Sequence, residues 1–97
     1  MRYYTITVNN RRVAYFEGLR NSRVIYDIVR ECARYAEPLH CSTLCLEGQK
    51  IVTCYYPRNA TRNPDRSKWR PVWEDANGKR ISAKEAMEKV KTAREVL

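Results

Sequence analysis

Ser22-Arg23-Val24-Ile25-Tyr26-Asp27-Ile28-Val29-Arg30-Glu31-Cys32-Ala33-Arg34-Tyr35-Ala36 is the stretch whose periodicity decides the fold. Placed on a helix, Val24, Ile25, Ile28, Val29, Cys32, Tyr35 and Ala36 fill one continuous apolar stripe. Arg23, Asp27, Arg30 and Arg34 gather on the opposite side, and three of those four are cations. Asn21 or Ser22 caps the helix. Glu37-Pro38 ends it, because the residue before a proline is pushed out of the helical region.

The chain on either side of this helix alternates with the two-residue period of strands. Residues 3–16 read as a β-hairpin turning at Asn9-Asn10, since asparagine tolerates the left-handed backbone that a two-residue turn requires. An unbroken register pairs Ile6 with Val13 and Tyr4 with Tyr15. It puts Tyr4, Ile6, Val8, Val13 and Tyr15 on one face, and Tyr3, Thr5, Thr7, Arg12, Ala14 and Phe16 on the other. A second hairpin turns at Gly48-Gln49 and pairs Leu46 with Ile51. Leu44, Leu46, Ile51 and Tyr55 then face the helix, while Cys45, Val52, Cys54 and Tyr56 face away. Trp69-Arg70-Pro71-Val72-Trp73 reads as a short strand that Pro71 confines to a sheet edge. Asp75 to Lys79 is a turn, with Gly78 free to take positive φ.

Ser82-Ala83-Lys84-Glu85 is a capping box that opens a C-terminal helix. That helix carries a thinner stripe of Ala83, Ala86, Met87, Val90, Ala93 and Leu97, and opposite charges at i,i+4 on its outer side. The order β-β-α-β-β-β-α predicts an α+β fold: a mainly antiparallel sheet of two β-hairpins plus a short edge strand, with the central helix on one face. At 97 residues the chain is expected to be a single domain spanning 1–97.

Composition bounds the function. Hydrophobic content of 43% and charged content of 31% fit a globular chain, and no apolar run reaches the ~20 residues of a membrane span. The first residues alternate like a strand and lack the apolar core of a signal peptide, so the reading is cytoplasmic. A formal charge of +8 and a pI near 9.6 point to a polyanionic partner.

The cysteines at 32, 41, 45 and 54, with His40 beside one of them, invite a zinc reading. On an extended segment Cys41 and Cys45 stand about 13 Å apart, too far to share a tetrahedral ion. No metal and no cofactor is expected, and the thiols read as free and small-hydrophobic. No nucleophile elbow, phosphate loop or paired-carboxylate site is present, and His40 is the single histidine.

Pro57 to Arg70 breaks the composition. Arg58, Arg62, Arg66, Lys68 and Arg70 stand there against one acid, Asp65, and no apolar residue larger than alanine precedes Trp69. The stretch reads as a basic flexible loop at about 57–69. Its Asn59-Ala60-Thr61 triplet is a formal glycosylation sequon, discounted without a secretory signal. Arginines neutralise phosphates and aromatic rings stack on unpaired bases, so Arg58, Arg62, Arg66, Lys68, Trp69 and Arg70 are the candidate binding residues. The helix face of Arg23, Arg30 and Arg34 extends them.

Three functional expectations follow. The first is a non-enzymatic binding protein for nucleic acid or a nucleic-acid–protein complex. The second is a small protein-binding inhibitor or adaptor of the kind phages and mobile elements encode, because Arg, Tyr and Trp also anchor protein interfaces. The third is a small metal-independent ribonuclease toxin.

Overall fold

Each of the two hairpins closes on a pair of residues with positive φ: Asn9 (53°) and Asn10 (61°), then Glu47 (50°) and Gly48 (82°). Two consecutive left-handed residues give the mirror-image turn whose twist matches that of the flanking strands. The first turn is where the sequence places it. The second sits one residue earlier than expected, on Glu47-Gly48, which hands Gln49 to the strand.

The structure, a computed structural model, describes residues 3–17, 22–36, 40–58 and 62–96. In chain order these form β1 (Tyr3–Val8), β2 (Arg11–Glu17), α1 (Ser22–Tyr35), β3 (Ser42–Leu46), β4 (Gln49–Tyr55), β5 (Val72–Asp75), β6 (Arg80–Ile81) and α2 (Ala83–Val96). The strands make one six-stranded sheet in the order β2-β1-β3-β4-β5-β6, antiparallel throughout. The α+β class and the order of elements are those read from the sequence, with the two-residue β6 added. Because β6 pairs with β5, Trp73 opposite Ile81, the strand after Pro71 is not at the edge. Pro71 lies just ahead of that strand, and Trp69 stays outside it.

A β-bulge interrupts each hairpin at the same step. In the first, Thr7 pairs with Arg12 but Ile6 with Ala14, leaving Val13 as the extra residue. In the second, Cys45 pairs with Lys50 but Leu44 with Val52, leaving Ile51 as the extra residue. A bulge moves every later residue of its strand to the opposite face. Ala14 and Phe16 therefore pack toward the core and Tyr15 does not, the reverse of the unbroken register. Val52, Cys54 and Tyr56 likewise join the helix side, and Tyr55 leaves it.

The two hairpins correspond position by position. Ile6 and Leu44 are equivalent, and they pair with each other where β1 meets β3, each with 0% exposure. The core lies between this sheet and both helices. Ile25, Ile28, Val29 and Cys32 bury the stripe of α1 against Leu44, Leu46 and Val52. Each such aliphatic side chain withdrawn from water contributes roughly 1.5–3 kcal/mol. The Cys32 thiol meets the Ser42 hydroxyl at 3.3 Å, so two small polar side chains, both fully buried, satisfy one another.

Ala86 and Val90 of α2 cover the end of the sheet holding Trp73 and Ile81. The Ser82 half of the capping box forms, with the Glu85 amide donating to Ser82 Oγ at 3.1 Å, while the Glu85 carboxylate accepts from the Ser82 hydroxyl at 3.4 Å. Neither Lys84–Glu88 nor Glu85–Lys89 closes into an ion pair, as solvated long side chains gain little by holding one geometry. All four cysteines are free thiols. No helix among the described residues is long and apolar enough to cross a membrane.

Candidate nucleic-acid interface

The segment from Arg62 to Arg70 is built on polar side chains that hydrogen-bond their own backbone. Asn63 Oδ1 accepts from the Asp65 amide at 3.0 Å, and Asp65 Oδ1 accepts from the Ser67 amide at 3.1 Å and the Ser67 hydroxyl at 2.6 Å. This alternation of Asn, Asp and Ser caps a single 3-10 turn at Arg66–Lys68. The bonds from Ser67 also hold the Asp65 carboxyl below its ordinary range. The one acid of the stretch therefore accepts from the loop's own donors while remaining exposed.

Trp69 is the pivot of the segment. Its indole N–H donates to the Asn63 carbonyl at 2.8 Å. The Arg66 guanidinium lies over its ring, 4.8 Å from the centroid. Its other neighbour is the Tyr56 ring, tilted by 60° at 5.6 Å between centroids. A cation over an indole is a favourable electrostatic contact, and here it fixes where the guanidinium points. Arg70 turns back on the loop, donating to the carbonyls of Ser67 (3.1 Å) and Trp69 (3.2 Å).

Tyr56 connects this loop to the helix. Its hydroxyl donates to the Ala33 carbonyl of α1 at 3.2 Å. Partial burial raises its pKa and the neighbouring Arg66 opposes the rise, so the hydroxyl remains a donor at neutral pH. Ala33 adjoins Arg34, whose guanidinium is bridged to Glu31 at 3.2 Å, a pairing visible in the sequence. Arg30 is exposed one turn earlier.

Of the predicted residues, Arg66, Trp69 and Arg70 are in contact within the loop, and Tyr56 links them to α1 beside Arg34. Arg62, Arg66, Lys68 and Arg70 are exposed on the loop, Trp69 is half-buried within it, and Arg30 and Arg34 are exposed on the adjoining helix. Arg58 is exposed where the chain leaves β4. Arg23 belongs to the first turn of α1, but its side chain lies outside the described residues, as do Asn59, Ala60 and Thr61. The loop residues are not equivalent. Arg62 and Lys68 project into solvent, Arg66 is stacked, and Arg70 holds the backbone.

Sequence reasoning missed two side chains. The bulge at Ile51, which alternation alone does not reveal, turns Tyr56 from the far face to the helix side. Tyr26 is 51% exposed, one helical turn before Arg30, on the cationic side of α1. A helical wheel places it at the border of the polar arc, which was the available signal.

Among the described residues no three His, Cys, Asp or Glu side chains come together as a metal site. Burial pushes the Cys32 thiol up to about 12 and raises Cys54 as well, so neither is a thiolate at neutral pH. The chain matches no protein-family model, no curated protein and no solved structure in the comparisons made.

Proposed function

We propose that the protein is a non-enzymatic module that binds nucleic acid, alone or within a nucleic-acid–protein complex, through the loop at 62–70 and the outer face of α1. The observation that carries this reading is the chain of contacts that ties the basic loop to the basic helix. Arg66, Trp69 and Tyr56 form one contact chain that ends on Ala33, beside Arg34. The only acid in the loop is occupied by the Ser67 amide and hydroxyl. Arg62 and Lys68, exposed on a hydrogen-bonded frame beside the stacked Arg66, suit phosphate contacts, because little loop freedom remains to be lost on binding. The net charge of +8 supplies the long-range attraction.

Affinity for a labelled oligonucleotide across a salt series tests this. Replacing Arg58, Arg62 and Arg66 together by Gln removes three phosphate contacts, and the slope of log K against log salt falls by about 2 to 3 units. An unchanged slope overturns the reading. So does a partner complex that survives nuclease treatment and high salt.

A further inference from the structure

Both helices pack on one face of the sheet, and the opposite face has a composition that the loop-and-helix interface does not use. The register brings Arg12 and Tyr15 of β2, Tyr3, Thr5 and Thr7 of β1, and Cys45 of β3 onto it. The same pairing continues through Lys50, Thr53 and Tyr55 of β4 to Glu74 and Arg80. Tyr15 is 46% exposed, stacks on Tyr3 with ring centroids 5.6 Å apart and planes 20° from parallel, and has the Arg12 guanidinium over its ring at 5.4 Å. By register three cations, Arg12, Lys50 and Arg80, share this face with two carboxylates, Glu17 and Glu74. In the middle, the Thr53 hydroxyl is buried at 7% exposure without a hydrogen-bond partner. Native proteins leave few such groups unsatisfied, and an occupant of this face that offers a donor or acceptor accounts for this one.

We propose that this helix-free sheet face is a platform for unpaired bases, so that the nucleic acid this protein takes is single-stranded where it crosses β2, β1, β3 and β4. The inference rests on the reading of the protein as a nucleic-acid binder and adds the class of strand. Three features select an unpaired strand. Tyr3 and Tyr15 offer ring surface, which a base can meet only when it has left a duplex stack. The threonine row supplies hydroxyls that both donate and accept, which suits base edges. The cations are spaced along the sheet and meet phosphates on either side of the bases. A base entering the stack takes the place of the Arg12 guanidinium, which moves to a phosphate, so each group keeps a partner.

The test compares fluorescence anisotropy of labelled oligothymidylate, about a dozen nucleotides long to match the span of one binding domain, with that of a duplex of mixed sequence. Tyr15→Ala is expected to weaken single-strand binding about fivefold or more, leaving duplex binding unchanged. Tyr15→Phe keeps the ring and restores the wild-type value. Amide chemical shifts on titrating oligothymidylate move at Tyr15, Thr5 and Thr53, and the spectrum of free Tyr15→Ala shows that the fold is retained. Wild-type affinity in Tyr15→Ala overturns the platform, as does an equal loss on both ligands. If the loop variant Arg58→Gln/Arg62→Gln/Arg66→Gln loses binding while Tyr15→Ala does not, the binding reading stands and this inference fails. If the wild type binds neither ligand, both fail. A nuclease-resistant complex with another protein, lost in Tyr15→Ala, assigns the face to a protein and also overturns the inference.

Discussion

Tyr56 donates its hydroxyl hydrogen to the carbonyl of Ala33, joining the end of β4 to the last turns of α1 by a 3.2 Å bond. The same ring touches Trp69, so a single side chain sets the position of the basic loop relative to the basic helix. Tyr56→Phe keeps the ring contact and removes the donor. The expected cost is about 1 kcal/mol, the ordinary worth of one partly buried hydrogen bond, read as a lower urea midpoint with unchanged slope. Oligonucleotide affinity falls only slightly, because the cations remain. A midpoint equal to the wild type shows that water replaces the bond without loss.

Trp69 gives a sharper division of roles. Trp69→Phe preserves an aromatic ring beside Tyr56 but deletes the N–H that holds Asn63. Arg70→Gln deletes the two donors that hold Ser67 and Trp69. Both are expected to make the 62–70 backbone amides exchange faster with solvent, with little change in global stability, since the segment is exposed. Arg62→Gln is expected to do the converse, weakening nucleic-acid binding with amide exchange unaltered. Hydrogen exchange followed by mass spectrometry separates the two classes. Equal protection in all three variants refutes the division.

At the centre of the sheet, Ile6 and Leu44 are each other's cross-strand partner and have no exposed surface. Leu44→Ala opens a cavity that strands on both sides cannot close, for an expected loss of about 2–5 kcal/mol. Leu44→Met, which nearly conserves volume, is expected to cost less than about 1.5 kcal/mol. Urea denaturation of the two variants checks the contrast, and similar losses in both show that shape, not volume, limits the site.

These central residues also show what a single sequence conveys. Ile28, Cys32, Ser82 and Glu85 were legible because helix periodicity and capping depend on neighbours a few residues away. Tyr15, Val52, Cys54 and Tyr56 were placed on the wrong face because one extra residue, Val13 or Ile51, reverses everything after it. A bulge leaves no mark in a run of alternating residues. In the loop, charge was legible but geometry was not. Asn63, Asp65 and Ser67 recur at every second position, a spacing that forms side-chain-to-backbone turns, yet it reads at first sight as polar filler. Tyr26 belongs to neither the apolar stripe nor the cationic set, because on the helical wheel it falls at the border between them.

The cysteines predict the response to alkali. Burial, opposed by the Ser42 hydrogen bond, pushes Cys32 up to about 12, and Cys54 is raised by burial and by its proximity to Cys32. An unfolded thiol ionises near pH 8.5, so folding holds the neutral form past the point where the unfolded chain releases its proton. The stability tied to these thiols is complete below about pH 8.5 and is lost as pH rises toward the folded-state values. The urea midpoint is therefore expected to be level from about pH 6 to 8 and to fall above about pH 9. In Cys32→Ala the decline is shallower, though its starting value is lower. Iodoacetamide at mildly alkaline pH labels the exposed Cys41 first and reaches Cys32 and Cys54 only at the rate of unfolding. Rapid labelling of Cys32 in the folded protein refutes its place at the centre of the α1 stripe.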